Sequence, residues 1–145
     1  MKYAVIASLL LAITAVAGPV VGETTPPLRA LFLDIVSRTH IPHVYDCSNK
    51  AAEYTLALDA KGYTAAMMKT TVRLPNGDEV FHAFVEIRLP LGTIYADPTS
   101  GKWSRRILGL TSPGLEYLES PLYLLSPPAL RLLRDDPEYA TRDPR

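Results

Sequence analysis

Three side chains in this sequence have the types needed for thiol chemistry: Cys47, His82 and Asp97. Only the thiolate form of cysteine is a strong nucleophile, and an ordinary thiol with a pKa of about 8.5 is mostly protonated at neutral pH. An imidazole can take that proton, and a carboxylate can fix the tautomer and orientation of the imidazole. Cys47 is therefore a candidate nucleophile, His82 its candidate base, and Asp97 the candidate residue that orients His82.

Cys47 is the only cysteine in the chain, and the N-terminus indicates export. An apolar run follows one basic residue, Ala15 and Ala17 form an A-x-A cleavage site, and Gly22 offers a second site. We therefore expect a signal peptide over residues 1–22, with an uncleaved anchor as the alternative. The mature protein would be secreted, periplasmic or on the cell surface. A lone thiol there is buried, pairs with another chain, or is kept for its reactivity.

Length and composition predict one domain of ordinary globular type. The chain has 145 residues, of which 48% are hydrophobic and 21% charged, so a core can form. Fifteen basic and fifteen acidic side chains cancel, and no run of Lys or Arg occurs. This charge pattern excludes nucleic acid as a partner.

The first predicted element is an amphipathic helix that begins after a candidate cap at Thr25 and is ended by Pro42. Its apolar residues recur at helical spacing: Leu28, Leu31, Phe32, Ile35 and Val36.

A second helix is predicted over residues 48–62, capped by Asp46 or Ser48 and followed by Gly62 in a left-handed conformation. Polar side chains, including Lys50, lie off its inward stripe. That stripe carries Cys47, Ala51, Tyr54 and Leu58. Cys47 is therefore expected at the helix N-terminus, on the inward side.

From residue 64 onward the apolar period changes to two, which predicts strands. Residues 63–74 and 79–89 flank a "PNGD" turn, and a third strand, "TIYA", leads to Asp97. If the second turn has two residues, Asp97 faces Phe84, whose side chain shares a face with His82. Asp97 and His82 are then diagonal neighbours, about 7–8 Å apart between Cα atoms. Two helices followed by an antiparallel meander predict an α+β fold.

The tail from residue 111 contains six prolines yet keeps many Leu and Tyr residues. We expect a core domain over residues 23–110. The Pro-rich extension, residues 111–145, would pack on that core as short helical turns and end in a frayed polar segment.

Three segments, "DCSNKAAEYTLALDAKGYTA", "FHAFVEI" and "YADPTSGKW", together resemble the transglutaminase-like superfamily of papain-like cysteine enzymes. The resemblance extends from about residue 43 to 103. It implies a papain-like fold and a Cys-His-Asp triad, with Cys47 as nucleophile, His82 as general base and acid, and Asp97 as orienting residue. It also implies an amide bond in a peptide or protein as substrate, with no cofactor and no metal.

The chain departs from the family pattern around its nucleophile. Animal transglutaminases have Trp after the nucleophile, where this chain has Ser48, and its only Trp is Trp103. No Gln precedes Cys47 to stabilise an oxyanion, which leaves the Cys47 N–H with Tyr45 as candidate partner. Ser48 and Trp103 are candidate cleft residues. These departures favour a peptidase or amidase over a protein cross-linker. "DCS" also occurs in the NlpC/P60 cell-wall peptidases, but there Gly normally follows, in place of Asn49.

Other interpretations remain open. Cys47 could be a small buried residue, His82 a half-buried strand residue, and Asp97 the start of a turn before Pro98. His40, His43 and Cys47 could bind a metal, although three ligands in one loop are a weak signature. Trp103 could be a core residue. At the level of function, the alternative is a catalytically silent module of the same fold that binds a partner or serves as a scaffold.

Overall fold

The structure, a computed structural model, describes residues 26–41 and 46–135. The predicted signal peptide over 1–22, the candidate cap at Thr25 and the last ten residues lie outside these ranges, as do His43 and Tyr45. Within the described ranges, no helix combines the length and apolar character needed to cross a membrane.

Two helices form where the apolar spacing predicts them. The first, α1 (Pro26–Ser37), buries Leu28, Phe32 and Ile35, and it ends before Pro42. The second, α2 (Cys47–Ala60), begins after Asp46.

Asp46 is the cap of α2. Its carboxylate accepts hydrogen bonds from the N–H groups of Ser48 and Asn49, and the Asn49 side chain accepts one from the Asp46 N–H. This reciprocal pair satisfies N–H groups that have no partner within the helix. At the other end Gly62 has a φ of 83°, as predicted for the residue that closes the helix.

Lys50 corrects the predicted stripe of α2. Ala51, Tyr54 and Leu58 are buried as expected, but Lys50 is only 2% exposed although its polarity placed it off the stripe. Its Nζ donates hydrogen bonds to the carbonyl oxygens of Val36 (3.2 Å) and Arg38 (2.6 Å), at the end of α1. Carbonyls in the last turn of a helix lack partners within the helix. The Lys50 ammonium therefore satisfies carbonyl oxygens that would otherwise lack a hydrogen-bond donor.

The antiparallel meander has the predicted register. Its strands are β1 (Thr64–Arg73), β2 (Glu79–Leu89) and β3 (Gly92–Asp97). Leu89 pairs with Gly92 across the two-residue turn, which confirms the pairing assumed from the sequence. Together with the helices, this sheet confirms the α+β class.

The sheet is wider than predicted, because three short strands extend it: β4 (Lys102–Ser104), β5 (Glu116–Tyr117) and β6 (Tyr123–Leu125). The order is β4-β3-β2-β1-β5, and β6 also pairs with β1. The prediction of helical turns throughout the tail is therefore wrong, since in that tail only α3 (Pro127–Asp135) is a helix within the described residues. Strands β5 and β6 form because the edge of β1 offers backbone N–H and C=O groups that need hydrogen-bond partners.

Both faces of the sheet are covered. The helices pack on one face, where Ala83, Val85 and Ile87 of β2 join a cluster with α1 and α2. On the other face, residues of β1 and β2 form a second cluster with residues from the C-terminal segment that follows β3. Its members are Met68, Val72 and Phe84 from the sheet, and Leu110 and Tyr117 from that segment. His82 has the same strand parity as Phe84, so it projects from the face that the C-terminal segment covers.

Candidate active site

Cys47 is the first residue of α2, directly after the capping residue Asp46. Its thiol is free and partly buried. The N–H groups at a helix N-terminus carry partial positive charge, which favours a thiolate over a thiol.

His82 and Asp97 are brought together by the register of β2 and β3. The Nε2 atom of His82 and the Oδ2 atom of Asp97 are 3.0 Å apart. Their side chains are 5% and 0% exposed, so water does not compete for this contact. The neighbour relation predicted from strand pairing is confirmed.

The Asp97 carboxylate accepts five hydrogen bonds. Its Oδ1 receives the N–H groups of Thr99 (2.9 Å) and Ser100 (3.3 Å). Its Oδ2 receives His82, the Ser100 hydroxyl (2.9 Å) and the Tyr117 hydroxyl (3.1 Å). A buried carboxylate with this many donors is held as an anion in one orientation.

The turn after Asp97 makes two of these bonds possible. The Gly101 N–H returns to the Asp97 carbonyl oxygen at 2.8 Å, and Gly101 has a φ of 74°. A residue with a side chain adopts that conformation only at a cost. The tight turn leaves the N–H groups of Thr99 and Ser100 pointing at the carboxylate.

The Cys47 thiol interacts with the His82 side chain and with the backbone N–H of Ala83, and both interactions favour its thiolate form. Because Nε2 of His82 faces Asp97, Nδ1 is the ring nitrogen available to Cys47. Strand β3 pairs with β2 only from Val85 to Leu89, so β3 does not pair with β2 at Ala83. The N-terminus of α2, which carries Cys47, comes close to β2 at Ala83.

The three groups shift one another's pKa values. Burial alone would raise the pKa of Cys47, but the hydrogen bond and charge of His82 and the Ala83 N–H hold that pKa below its ordinary value. Burial would lower the pKa of His82, yet its bonds to Asp97 and Cys47 raise the pKa to about 9. The pKa of Asp97 is lowered by His82 and Ser100 against the effect of burial. Both shifts act in the direction of a thiolate beside an imidazolium.

The candidate oxyanion and cleft residues have different outcomes. Tyr45 lies outside the described residues. The Ser48 N–H is bound to the Asp46 carboxylate at 2.8 Å, so it is not free for an oxyanion. Trp103 is half-buried and meets the Phe32 ring edge-on at 4.9 Å between centroids. Its ring joins the helix-facing cluster, which is the core position among the two alternatives for this residue.

Sequence reasoning missed two residues that contact Asp97. Ser100 could have been found, because an Asp that begins a turn often binds backbone N–H groups about two residues on, which brings the residues after it close to its carboxylate. Tyr117 gave no such signal. It lies in a Pro-rich segment without periodicity, and only the pairing of β5 with β1 brings it to the site.

Metal-binding groups of three or more His, Cys, Asp or Glu side chains do not occur within residues 26–41 and 46–135. Of the candidate ligands, His40 is exposed and His43 lies outside the described ranges.

Comparisons of the chain with protein-family models, with curated proteins and with solved structures returned no match.

Proposed function

We propose that this chain is an exported thiol enzyme of transglutaminase-like type, with a papain-like fold, that acts on amide bonds in peptides or proteins. One observation carries the proposal: Cys47 at a helix N-terminus interacts with the side chain of His82, whose Nε2 lies 3.0 Å from the buried carboxylate of Asp97. The order of these residues and the three sequence segments around them support the superfamily. The apolar N-terminus with its cleavage sites supports export.

The proposed reaction begins with the Cys47 proton on Nδ1 of His82. The thiolate attacks the amide carbonyl carbon, and a C–S bond forms as the carbonyl oxygen becomes an oxyanion. His82 then gives the proton to the amide nitrogen, the C–N bond breaks, and a thioester remains. Asp97 stays ionised throughout and holds the imidazole in position.

Water or a second amine resolves the thioester. His82 takes a proton from the incoming nucleophile and returns it to Cys47 as the thioester C–S bond breaks. We favour water, and hence a peptidase or amidase, because Ser48 occupies the position of the Trp found in cross-linking transglutaminases. The Cys47 N–H and Tyr45 are the proposed oxyanion donors.

Alkylation by iodoacetamide tests the nucleophile directly, since the chain has one cysteine. We expect fast labelling at pH 6 in the wild type and roughly 100-fold slower labelling in His82→Ala, because an unassisted thiol is mostly protonated there. His40→Ala is the matched control, an exposed histidine that should leave the rate unchanged. Wild-type labelling that follows an ordinary thiol titration near pH 8.5 would refute the proposal.

The alternative is a catalytically silent module of the same fold that binds a partner. One observation favours it: the N–H groups of Ser48 and Asn49, the first in α2 after Cys47, already donate to the Asp46 carboxylate. Few backbone donors are left there for an oxyanion. Incubation with amide substrates, followed by mass spectrometry, tests whether a peptide thioester forms at Cys47. This experiment separates the enzyme from the silent module. Fast alkylation without any acyl-enzyme would favour the module.

A further inference from the structure

Tyr117 joins the C-terminal segment to the candidate triad by two different contacts. Its hydroxyl donates to Oδ2 of Asp97 at 3.1 Å, and its ring meets the His82 ring at 5.8 Å between centroids and 85° between planes. Tyr117 is 3% exposed. The mechanism proposed above assigns it no step.

We propose that Tyr117 is a positioning residue whose hydroxyl limits how strongly Asp97 binds His82, and so sets the pH range over which His82 stays protonated beside Cys47. This role rests on the proposed function.

Competition at one oxygen is the physical basis. Oδ2 of Asp97 accepts from His82, from the Ser100 hydroxyl at 2.9 Å and from Tyr117. Two of these donors are neutral, and each draws negative charge away from the contact with His82. Asp97 is 0% exposed, so bulk water does not contribute a donor to this oxygen.

Tyr117 is fixed well enough to act in this way. It pairs with Val72 in the sheet, and its N–H donates to the Thr111 hydroxyl at 3.1 Å. Its ring also packs edge-on against Phe84 at 5.5 Å. Lys102 in turn donates to the carbonyl oxygen of Thr111. The ring is therefore held by packing, and removal of the hydroxyl alone leaves the His82 ring supported.

Other charged groups around the pair stay in place when the hydroxyl is removed. Lys50 of α2 interacts with the charge of Asp97, and Asp46 with that of Cys47. Lys102 lies opposite Asp97 in β4, with its ammonium bound to Thr111. A shift in His82 titration would thus report on Oδ2 itself.

Tyr117→Phe tests the proposal, with the His82 ring followed by ¹⁵N NMR as the pH rises. We expect the pKa of His82 to increase by about 0.5 to 1 unit, because Asp97 loses a competing donor. Tyr95→Phe is the control: Tyr95 packs on Phe84 in the same cluster at 6.1 Å. It should leave the titration unchanged. A purely structural role for Tyr117 would lower stability without this upward shift.

Ser100→Ala provides a second variant if Tyr117→Phe does not fold, since it removes the other neutral donor and should shift the pKa in the same direction. An unchanged or lowered His82 pKa in the folded variant would overturn the proposal. This outcome is separate from failure of the proposed function, which iodoacetamide labelling of the wild type measures. His82 can titrate as expected in a protein whose Cys47 proves unreactive.

Discussion

The two nitrogens of the His82 ring lie in very different surroundings. Nε2 faces a carboxylate that accepts five hydrogen bonds and is 0% exposed. Nδ1 is the nitrogen left for Cys47, a partly buried thiol at a helix end. The side toward Asp97 is built from β3, its following turn and β5, whereas the side toward Cys47 depends on α2 and one backbone N–H of β2.

This difference separates orientation from reaction. The contacts on the Asp97 side already hold the His82 ring in a single orientation in the absence of substrate. Little additional ordering of the ring is therefore needed during a reaction. In the proposed reaction the Cys47 side must admit a carbonyl carbon and release an amine, so it cannot be filled in the same way. Changes on the two sides should therefore differ in kind as well as in size.

The largest effect is expected from Asp97→Asn, on the Asp97 side of the ring. The amide NH₂ group cannot accept hydrogen bonds from His82, Ser100 and Tyr117, and the protonated ring loses its counter-charge. Removal of one partner from a buried pair typically lowers the free energy of unfolding by about 3 kcal/mol or more. Urea denaturation at pH 6 measures this loss.

Asp78→Asn is the control for Asp97→Asn, because Asp78 lies in the exposed β1–β2 turn. It should change stability by less than about 0.5 kcal/mol. Equal effects of the two substitutions would show that the donors around Asp97 contribute little.

The pH dependence of stability separates the two sides of the ring. In the folded chain the pKa of His82 is raised from 6.5 to about 9, so its contribution is complete below pH 6.5 and is lost as the pH rises through 9. The Cys47 pKa is lowered from 9.0, so its contribution changes in the opposite direction as the pH rises toward 9. Stability of the wild type should therefore fall less steeply between pH 6.5 and 9 than His82 alone would cause.

Cys47→Ala removes one of these opposing contributions. Asp97 still raises the His82 pKa, so stability should now fall with pH across this window, by at most about 1.4 kcal/mol per unit. Both proteins should lose stability in acid, as the pH falls from 3.8 through the lowered pKa of Asp97. Parallel curves for wild type and variant between pH 6.5 and 9 would contradict a thiolate–imidazolium pair.

Lys50→Met tests the support for the Cys47 side. It leaves the carbonyl oxygens of Val36 and Arg38 without their buried donor, which should lower the free energy of unfolding by about 1–3 kcal/mol. The exposed Lys61, at the other end of α2, is the control, and Lys61→Met should have little effect. If both variants unfold at the same urea concentration, the ammonium contacts do not hold α1 against α2.

The parts of the site that sequence predicts are those fixed by local rules. A two-residue turn and a period of two set the β2–β3 register, and with it the contact between His82 and Asp97. The start of α2 followed from its capping residues, although only the structure selects Asp46 over Ser48.

Lys50 and Tyr117 were beyond such rules. Lys50 has a polar side chain on a helix, which usually indicates solvent, and its burial depends on where α1 ends in space. Tyr117 reaches Asp97 only because a short tail strand pairs with β1. Tertiary packing decides both positions, and no local pattern encodes it.

The smallest effect is expected from Asp46→Asn, on the Cys47 side. The charge of Asp46 raises the pKa of Cys47, while its side-chain oxygen caps α2. Asn keeps a capping oxygen and removes the charge, so the thiol pKa should fall further, and alkylation at a pH where the wild-type thiol is still mostly protonated should become about two- to threefold faster. Asp59→Asn is the control on the same helix, about 18 Å along its axis from Cys47, and should not change the rate. Slower labelling of Asp46→Asn would contradict this expectation. It would mean that the Asp46 carboxylate favours the thiolate of Cys47, because it caps the first turn of α2 more strongly than Asn does.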